Sequence, residues 1–200
     1  MNLTRRGEIK TPALPTGSAK GAIIVLGVDP GTLITGYGVV AREGSRMRLL
    51  ACGSVRNHSR QSMAVRLRTI YTELQSVIRK YHPDEFAIES AFYGKNAQSA
   101  LKLGHARGVS ILAAVQREIP TSEYSPREVK KAVVGTGNAS KEQVQFMIKT
   151  LLGLSNTRML LDTSDALAIA ICHLHRLTTP TSKHRDWKSY VAAHPERVRS

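Results

Sequence analysis

Four carboxylates stand where a carboxylate can do chemistry. Asp29 ends the apolar, β-branched run AIIVLGVD (22–29), and Glu89 comes near the end of DEFAIES (84–90). Asp162 and Asp165 open LDTSDALAIA (161–170), three positions apart. The chain holds five aspartates in all and has a formal net charge of +14, so two acids at the head of one segment call for a reason. Capping supplies one: Asp, Thr and Ser are preferred N-cap residues, with Thr163 or Ser164 as candidates, and an acid in a first turn interacts favourably with the helix dipole. The residues that follow supply another. Ala166 to Cys172 contains no polar side chain, which implies a helix buried on nearly every face, with its first turn at the edge of the core. A spacing of three on that helix puts both carboxylates on one face, where they can converge with Asp29 and Glu89 at the ends of central strands.

Such a cluster has a definite chemistry. Two carboxylates about 4 Å apart repel by something like 4 kcal/mol at an effective dielectric of about 20, and divalent cations remove that penalty. An all-oxygen ligand set without Cys or His favours Mg²⁺ or Mn²⁺, hard ions that also bind phosphate oxygens. Two such ions about 4 Å apart can stabilise both the attacking and the leaving oxygen of a phosphodiester. Lys141 opens a later helix and Lys130 lies in the basic run REVKK; by themselves both read as solvated lysines. Gly31, Gly36 and Gly38 suit a turn that brings backbone close to metal or phosphate. His105, His173 and His175 read as packing or solvent-facing residues and are given no chemistry.

The elements that must position these groups follow from hydrophobic period and punctuation. The strand ending at Asp29 is halted by Pro30 and Gly31; GYGVVAR (36–42) and RMRLLACGSVR (46–56) are two further strands joined by the short polar link EGS. Ser62 to Tyr81 has apolar residues mostly at three and four, with Pro83 beyond it, and predicts an amphipathic helix. A strand over 84–90 and a helix over 97–117 come next; Gly104 and Gly108 on that helix are expected to admit a neighbouring backbone. IPTSEYS (119–125) is a weaker strand. Ser125 and Pro126 start a short helix, Ser140 and Gln143 form a capping box for the next, which Gly153 can close, and the last helix begins near Thr163. The order predicts an α/β fold with a mixed sheet flanked by helices.

Composition narrows the partners. Lys and Arg number 29 against 15 acids, and a pI near 10.2 implies a polyanion, most simply nucleic acid. Cys52 and Cys172 have no CxxC or Cys/His ligand spacing, which argues against zinc and for a reducing compartment. No apolar run reaches the roughly 18 residues of a membrane span, and a soluble protein is expected. Residues 1–20 read as a disordered basic arm, 21–176 as one domain, and 177–200 as a flexible basic tail.

Four stretches in order, VLGVDPGTLITGYGVV, FAIESAFYGKNAQSALKLGHARGV, EYSPREVKKAVVGTGNASKEQV and DTSDALAIAICH, resemble the RuvC family of bacterial Holliday-junction resolvases, from about Ile24 to His173. The resemblance implies an RNase H-like fold with a five-stranded mixed sheet. It implies a cytoplasmic homodimer that nicks two opposing strands of four-way junction DNA in recombination and repair, leaving 5′-phosphate and 3′-hydroxyl ends. It also implies two Mg²⁺ per site, with Mn²⁺ as a substitute, and a partnership with the RuvA-RuvB branch-migration complex. The family's catalytic carboxylates fall on Asp29, Glu89, Asp162 and Asp165, with Asp29 bridging both ions, Glu89 on one, and Asp162 and Asp165 on the other. Some members carry His at the position of Asp162. Lys141 and Lys130 match family lysines near the scissile phosphate and the DNA backbone. Phe92 matches an aromatic that stacks on an unpaired base, with Tyr93 a possible substitute; stacking of this kind is worth about 1 to 3 kcal/mol. Three other readings compete. Asp29 to Thr32 is similar to a phosphate-binding turn of actin- and sugar-kinase-like ATPases, which need two related domains. A sister nuclease of RNA-processing type has a comparable first motif, and a non-catalytic nucleic-acid binder would use the acids only as helix caps.

Overall fold

The computed structural model describes residues 9–10, 21–90, 97–154 and 161–178; the rest of the expected arm and tail, and the side chains of residues 9, 10, 161 and 162, lie outside it. Six strands, β1 (Ile9–Lys10), β2 (Ile23–Asp29), β3 (Ile34–Glu43), β4 (Arg46–Arg56), β5 (Glu85–Glu89) and β6 (Thr121–Tyr124), form one sheet in the order β1-β4-β3-β2-β5-β6. The antiparallel β2, β3 and β4 and the parallel β5 and β6 make the expected five-stranded mixed sheet. The two-residue β1, from within the expected arm, adds to its β4 edge, Ile9 opposite Cys52 and Lys10 opposite Ala51.

The sheet has one core on each face. Leu26, Val28, Phe86 and Ile88 pack with α1 (Met63–Tyr81) and α2 (Ala97–Val115), whereas Val25 and Ala87 pack with α3 (Pro126–Val134), α4 (Lys141–Leu152) and α5 (Leu161–Thr178). This is the period-2 alternation of strands buried on both sides. It sends Asp29, two residues beyond Gly27, and Glu89, two beyond Ala87, toward the α5 face.

Helix ends follow local chemistry. Ser62 caps α1 by accepting from the Val65 N–H, and His82 closes it in the left-handed region at φ 45°. Ser125 with Glu128, and Ser140 with Gln143, form reciprocal capping boxes at α3 and α4; Pro126 sits in the first turn of α3, and Gly135 and Gly153 end the two helices at φ 88° and 67°. The start of α5 differs from the expectation. It begins at Leu161, so the buried Thr163 and Ser164 lie inside the first turn and are not its caps.

α5 is the spine of its layer, buried from Ala166 through Leu174. It lies against β2 and β3 at backbone distance: a Cβ on Gly27 would sit 2.3 Å from the Ala166 carbonyl oxygen and 2.7 Å from the Ala170 nitrogen, and one on Gly38 would sit 2.6 Å from the Leu167 side chain. Gly38 thus serves packing. Among the described residues no neighbouring backbone packs on Gly104 or Gly108, since none of their atoms lies within 4 Å of a Cβ at either position.

Candidate active site

The parallel pairing of β2 with β5 sets Val28 beside Ile88, so the next residues, Asp29 and Glu89, end adjacent strands side by side. α5 crosses the same ends and brings Asp165 to them; α4 opens there with Lys141, and α3 contributes Lys130. These five side chains line one cleft of about 310 Å³, walled by Pro126, Val129, Val144, Ala168 and Ile169. The Lys141 ammonium donates to Asp165 Oδ2 at 3.0 Å, with its side chain 61% exposed and that of Asp165 34% exposed. Asp162 is one turn back on α5; its side chain, like Phe92 and Tyr93 as a whole, lies outside the described residues.

The electrostatics are those of crowded anions. Burial, and then the charge of Asp165, raise the pKa of Glu89; Lys141 and a hydrogen bond with Asp29 oppose the rise without cancelling it. Lys141 shows the complement, held more firmly protonated by its hydrogen bond to Asp165 and by the charges of Asp165, Asp29 and Glu89. Among the described residues no three His, Cys, Asp or Glu side chains close around a single cation position. What those residues do provide is an all-oxygen donor set with surplus negative charge at the rim of the core, which fits hard divalent cations and no soft metal.

The structure therefore brings together Asp29, Glu89, Asp165, Lys141 and Lys130 from the expected site, and it places the backbone of Asp162 on the same helix as Asp165, one turn back. Of the histidines, His105 is exposed, and His175 Nδ1 is 3.0 Å from the Ala132 carbonyl. His173 is buried, with Nδ1 2.7 Å from the Tyr124 hydroxyl and Nε2 3.4 Å from Glu85 Oε2. Sequence reading assigned His173 no chemistry. The signal was nonetheless present: a polar side chain on a helix buried all round has to find a partner.

A mixed sheet in this order, with acids ending its two central parallel strands and a third acid on the helix laid across them, defines an RNase H-like nuclease fold. The family profile described as crossover junction endodeoxyribonuclease RuvC matches residues 25–173. The chain belongs to the RuvC family. It is 45% identical over 184 residues to the RuvC of Chloroherpeton thalassium, covering 88% of this chain and 99% of that one. To the Pelotomaculum thermopropionicum RuvC it is 47% identical over 156 residues, 78% of this chain and 95% of the relative. Among solved structures, Thermus thermophilus RuvC in complex with a Holliday junction substrate matches with a TM-score of 0.74 and 33% identity over 78% of this chain and 94% of that one. The yeast mitochondrial Holliday junction resolvase shares the fold at a TM-score of 0.54 and 12% identity, over 86% of this chain and 83% of that one. The chain is accordingly an endodeoxyribonuclease of a metal-dependent family that acts in recombination and repair. No helix among the described residues is long and apolar enough to cross a membrane.

Proposed function

We propose that this cleft resolves four-way DNA junctions by paired, symmetric hydrolysis of phosphodiesters, leaving 5′-phosphate and 3′-hydroxyl ends. The observation that carries the reading is the convergence of Asp29, Glu89 and Asp165 from three elements on one cleft with Lys141, in a chain of net charge +14. A basic protein that gathers acids at the edge of its core gains from it when cations stand between those acids and a polyanion. Asp29, Glu89, Asp162 and Asp165 would hold two Mg²⁺ ions, or Mn²⁺ in their place. When bound, these ions supply Lewis-acid stabilisation of the attacking and leaving oxygens.

The chain's own residues do the rest. Lys141, kept protonated by its acidic neighbours, offers a fixed positive charge for the charge that develops on the scissile phosphate. Lys130, on the same wall, takes a neighbouring backbone phosphate, and Phe92 stacks on an unpaired base at the crossover. Symmetric nicks need two sites, and α2 supports a homodimer. Leu101, Leu112 and Val115 are 62%, 48% and 52% exposed, and with the open Gly104 and Gly108 they follow the three-and-four spacing of one helix stripe. A self-complementary stripe on a two-fold axis is the simplest way to cover it. Family membership supports the RuvA-RuvB branch-migration complex as partner and the cytoplasm as the place of action.

The test is a labelled four-way junction with Mg²⁺. Asp29→Asn and Asp165→Asn are expected to abolish cleavage while leaving junction binding in Ca²⁺ largely intact. Nicking at the wild-type rate by either variant would sink the assignment.

A further inference from the structure

Resting on the metal-site reading above, we infer that Tyr124 and His173 form a positioning clamp, distinct from the cleft, that fixes the height of α5 and hence the spacing of Asp165 from Glu89. Tyr124 is tied at both ends. Its backbone sits opposite Glu89 in the β5–β6 register, and its carbonyl oxygen accepts from the N–H of Ser90 at 2.8 Å. Its hydroxyl reaches His173 Nδ1 on α5 at 2.7 Å. One residue thus joins the strand that ends in Glu89 to the helix that carries Asp165. It also adjoins Ser125, whose capping box starts the helix bearing Lys130.

The direction of that bond follows from its neighbours. Glu85, the first residue of β5, sets Oε2 3.4 Å from His173 Nε2, a long contact at the limit of hydrogen-bonding distance. A carboxylate only accepts, so the ring proton belongs on Nε2, and Nδ1 is left to accept from the Tyr124 O–H. Burial lowers the pKa of His173, which keeps the imidazole neutral and suits this arrangement. The tyrosine ring is held as well, with the Arg176 guanidinium 5.6 Å from its centroid.

Arg42 on β3 donates to the Leu174 carbonyl oxygen at 3.1 Å and to Thr178 Oγ1 at 2.7 Å, which ties α5 to the antiparallel side of the sheet; Tyr124 supplies the tie on the side that carries Glu89, where the contact beside the cleft is otherwise apolar. Ala166 and Ala170 lie on Gly27, and Leu167 lies on Gly38, so small apolar surfaces face bare backbone. Apolar burial is non-directional and resists sliding along the helix axis weakly. Asp165 and Glu89 meanwhile repel one another across the cleft. Phenylalanine would fill nearly the volume of Tyr124 without burying a hydroxyl, so what the polar pair adds over an apolar one is direction.

Mn²⁺ titration of the DNA-free protein, followed by the paramagnetic signal of the free ion, reads the spacing without cleavage. Tyr124→Phe and His173→Leu are expected to raise the Mn²⁺ dissociation constant roughly two- to ten-fold, the factor that corresponds to the net worth of one hydrogen bond. Mg²⁺ half-saturation of cleavage should rise in step, with metal-free junction affinity unchanged. His173→Asn, which keeps an acceptor near the place of Nδ1, should stay within about two-fold of wild type on the same argument. Tyr124→Phe removes a single oxygen and guards against simple unfolding. Wild-type Mn²⁺ affinity in both Tyr124→Phe and His173→Leu, whatever their melting temperatures, would overturn the clamp and reduce the pair to core packing. A His173→Asn protein as impaired as His173→Leu would overturn the Tyr124 bond as its basis. Wild-type protein that took up no Mn²⁺ would overturn the metal reading itself, and the clamp with it.

Discussion

Lys141 holds a position that a surface lysine rarely has. It opens a capped helix at the rim of the acid cluster, and its hydrogen bond to Asp165 fixes a long, otherwise mobile side chain. With much of its length exposed, the pair adds little to folding stability. Its worth lies in where the charge is held. In Lys141→Met the acids lose a cation that opposes the rise in the pKa of Glu89, and a scissile phosphate loses a fixed positive neighbour. Removing a preorganised donor of this kind typically reduces kcat on the order of a hundred-fold. That is the expected outcome for Lys141→Met on a junction at saturating Mg²⁺, with junction affinity changed far less. A loss confined to binding would make Lys141 an ordinary phosphate contact.

At the scale of elements, α5 decides whether the acids meet, and Gly27 decides where α5 lies. An alanine there would place its Cβ 2.3 Å from one backbone atom of α5 and 2.7 Å from another, and a backbone cannot give way as a flexible side chain does. Gly27→Ala should therefore lift α5 from the sheet at a cost of roughly 1 to 3 kcal/mol. Because Asp165 rides on that helix, cleavage at a temperature where the variant is still folded should fall by more than the loss of folded protein accounts for. Chemical denaturation and single-turnover cleavage on one preparation separate the two effects. The same helix shows what can be read from sequence. Strand ends at Asp29 and Glu89, the Ser125 cap, the Ser140–Gln143 capping box, and the burial of Ala166 to Cys172 are local facts of pattern and punctuation, and the structure has them where the pattern places them. Which glycines meet a backbone is not local. Gly104 and Gly108 look like packing glycines but meet no atom of the described residues, while Gly27 inside an unremarkable apolar run bears the closest approach of α5. The first turn of α5 misled for a related reason: Thr163 and Ser164 are good caps, but their burial against the sheet holds them inside the helix. His173 packs, as one of its two expected readings has it, but its partner Tyr124 lies 49 residues away in sequence, and no local pattern points to it.

For the whole molecule, the two faces of the sheet divide the work. The α3–α5 face carries the cleft, and the α1–α2 face ends outward in the apolar stripe of α2. A net charge of +14 draws either face toward DNA, and junction affinity should carry the steep salt dependence of several neutralised phosphates. Charge of one sign also keeps copies of the chain apart, so a dimer has to be held by apolar contact against that repulsion. Leu112, 48% exposed at the middle of the stripe, is the place to break it. In Leu112→Glu, two like charges would face one another across the proposed two-fold axis, while the cleft on the opposite face keeps every residue that lines it. Sedimentation is expected to show a monomer with an unchanged melting profile at low protein concentration. Strand-by-strand products should change in kind as well as in amount: each four-way junction would be nicked on one strand and accumulate uncut on the opposing strand, because the two cuts are no longer delivered by one bound particle. Paired cuts from a Leu112→Glu monomer would show that the stripe serves something other than pairing two sites.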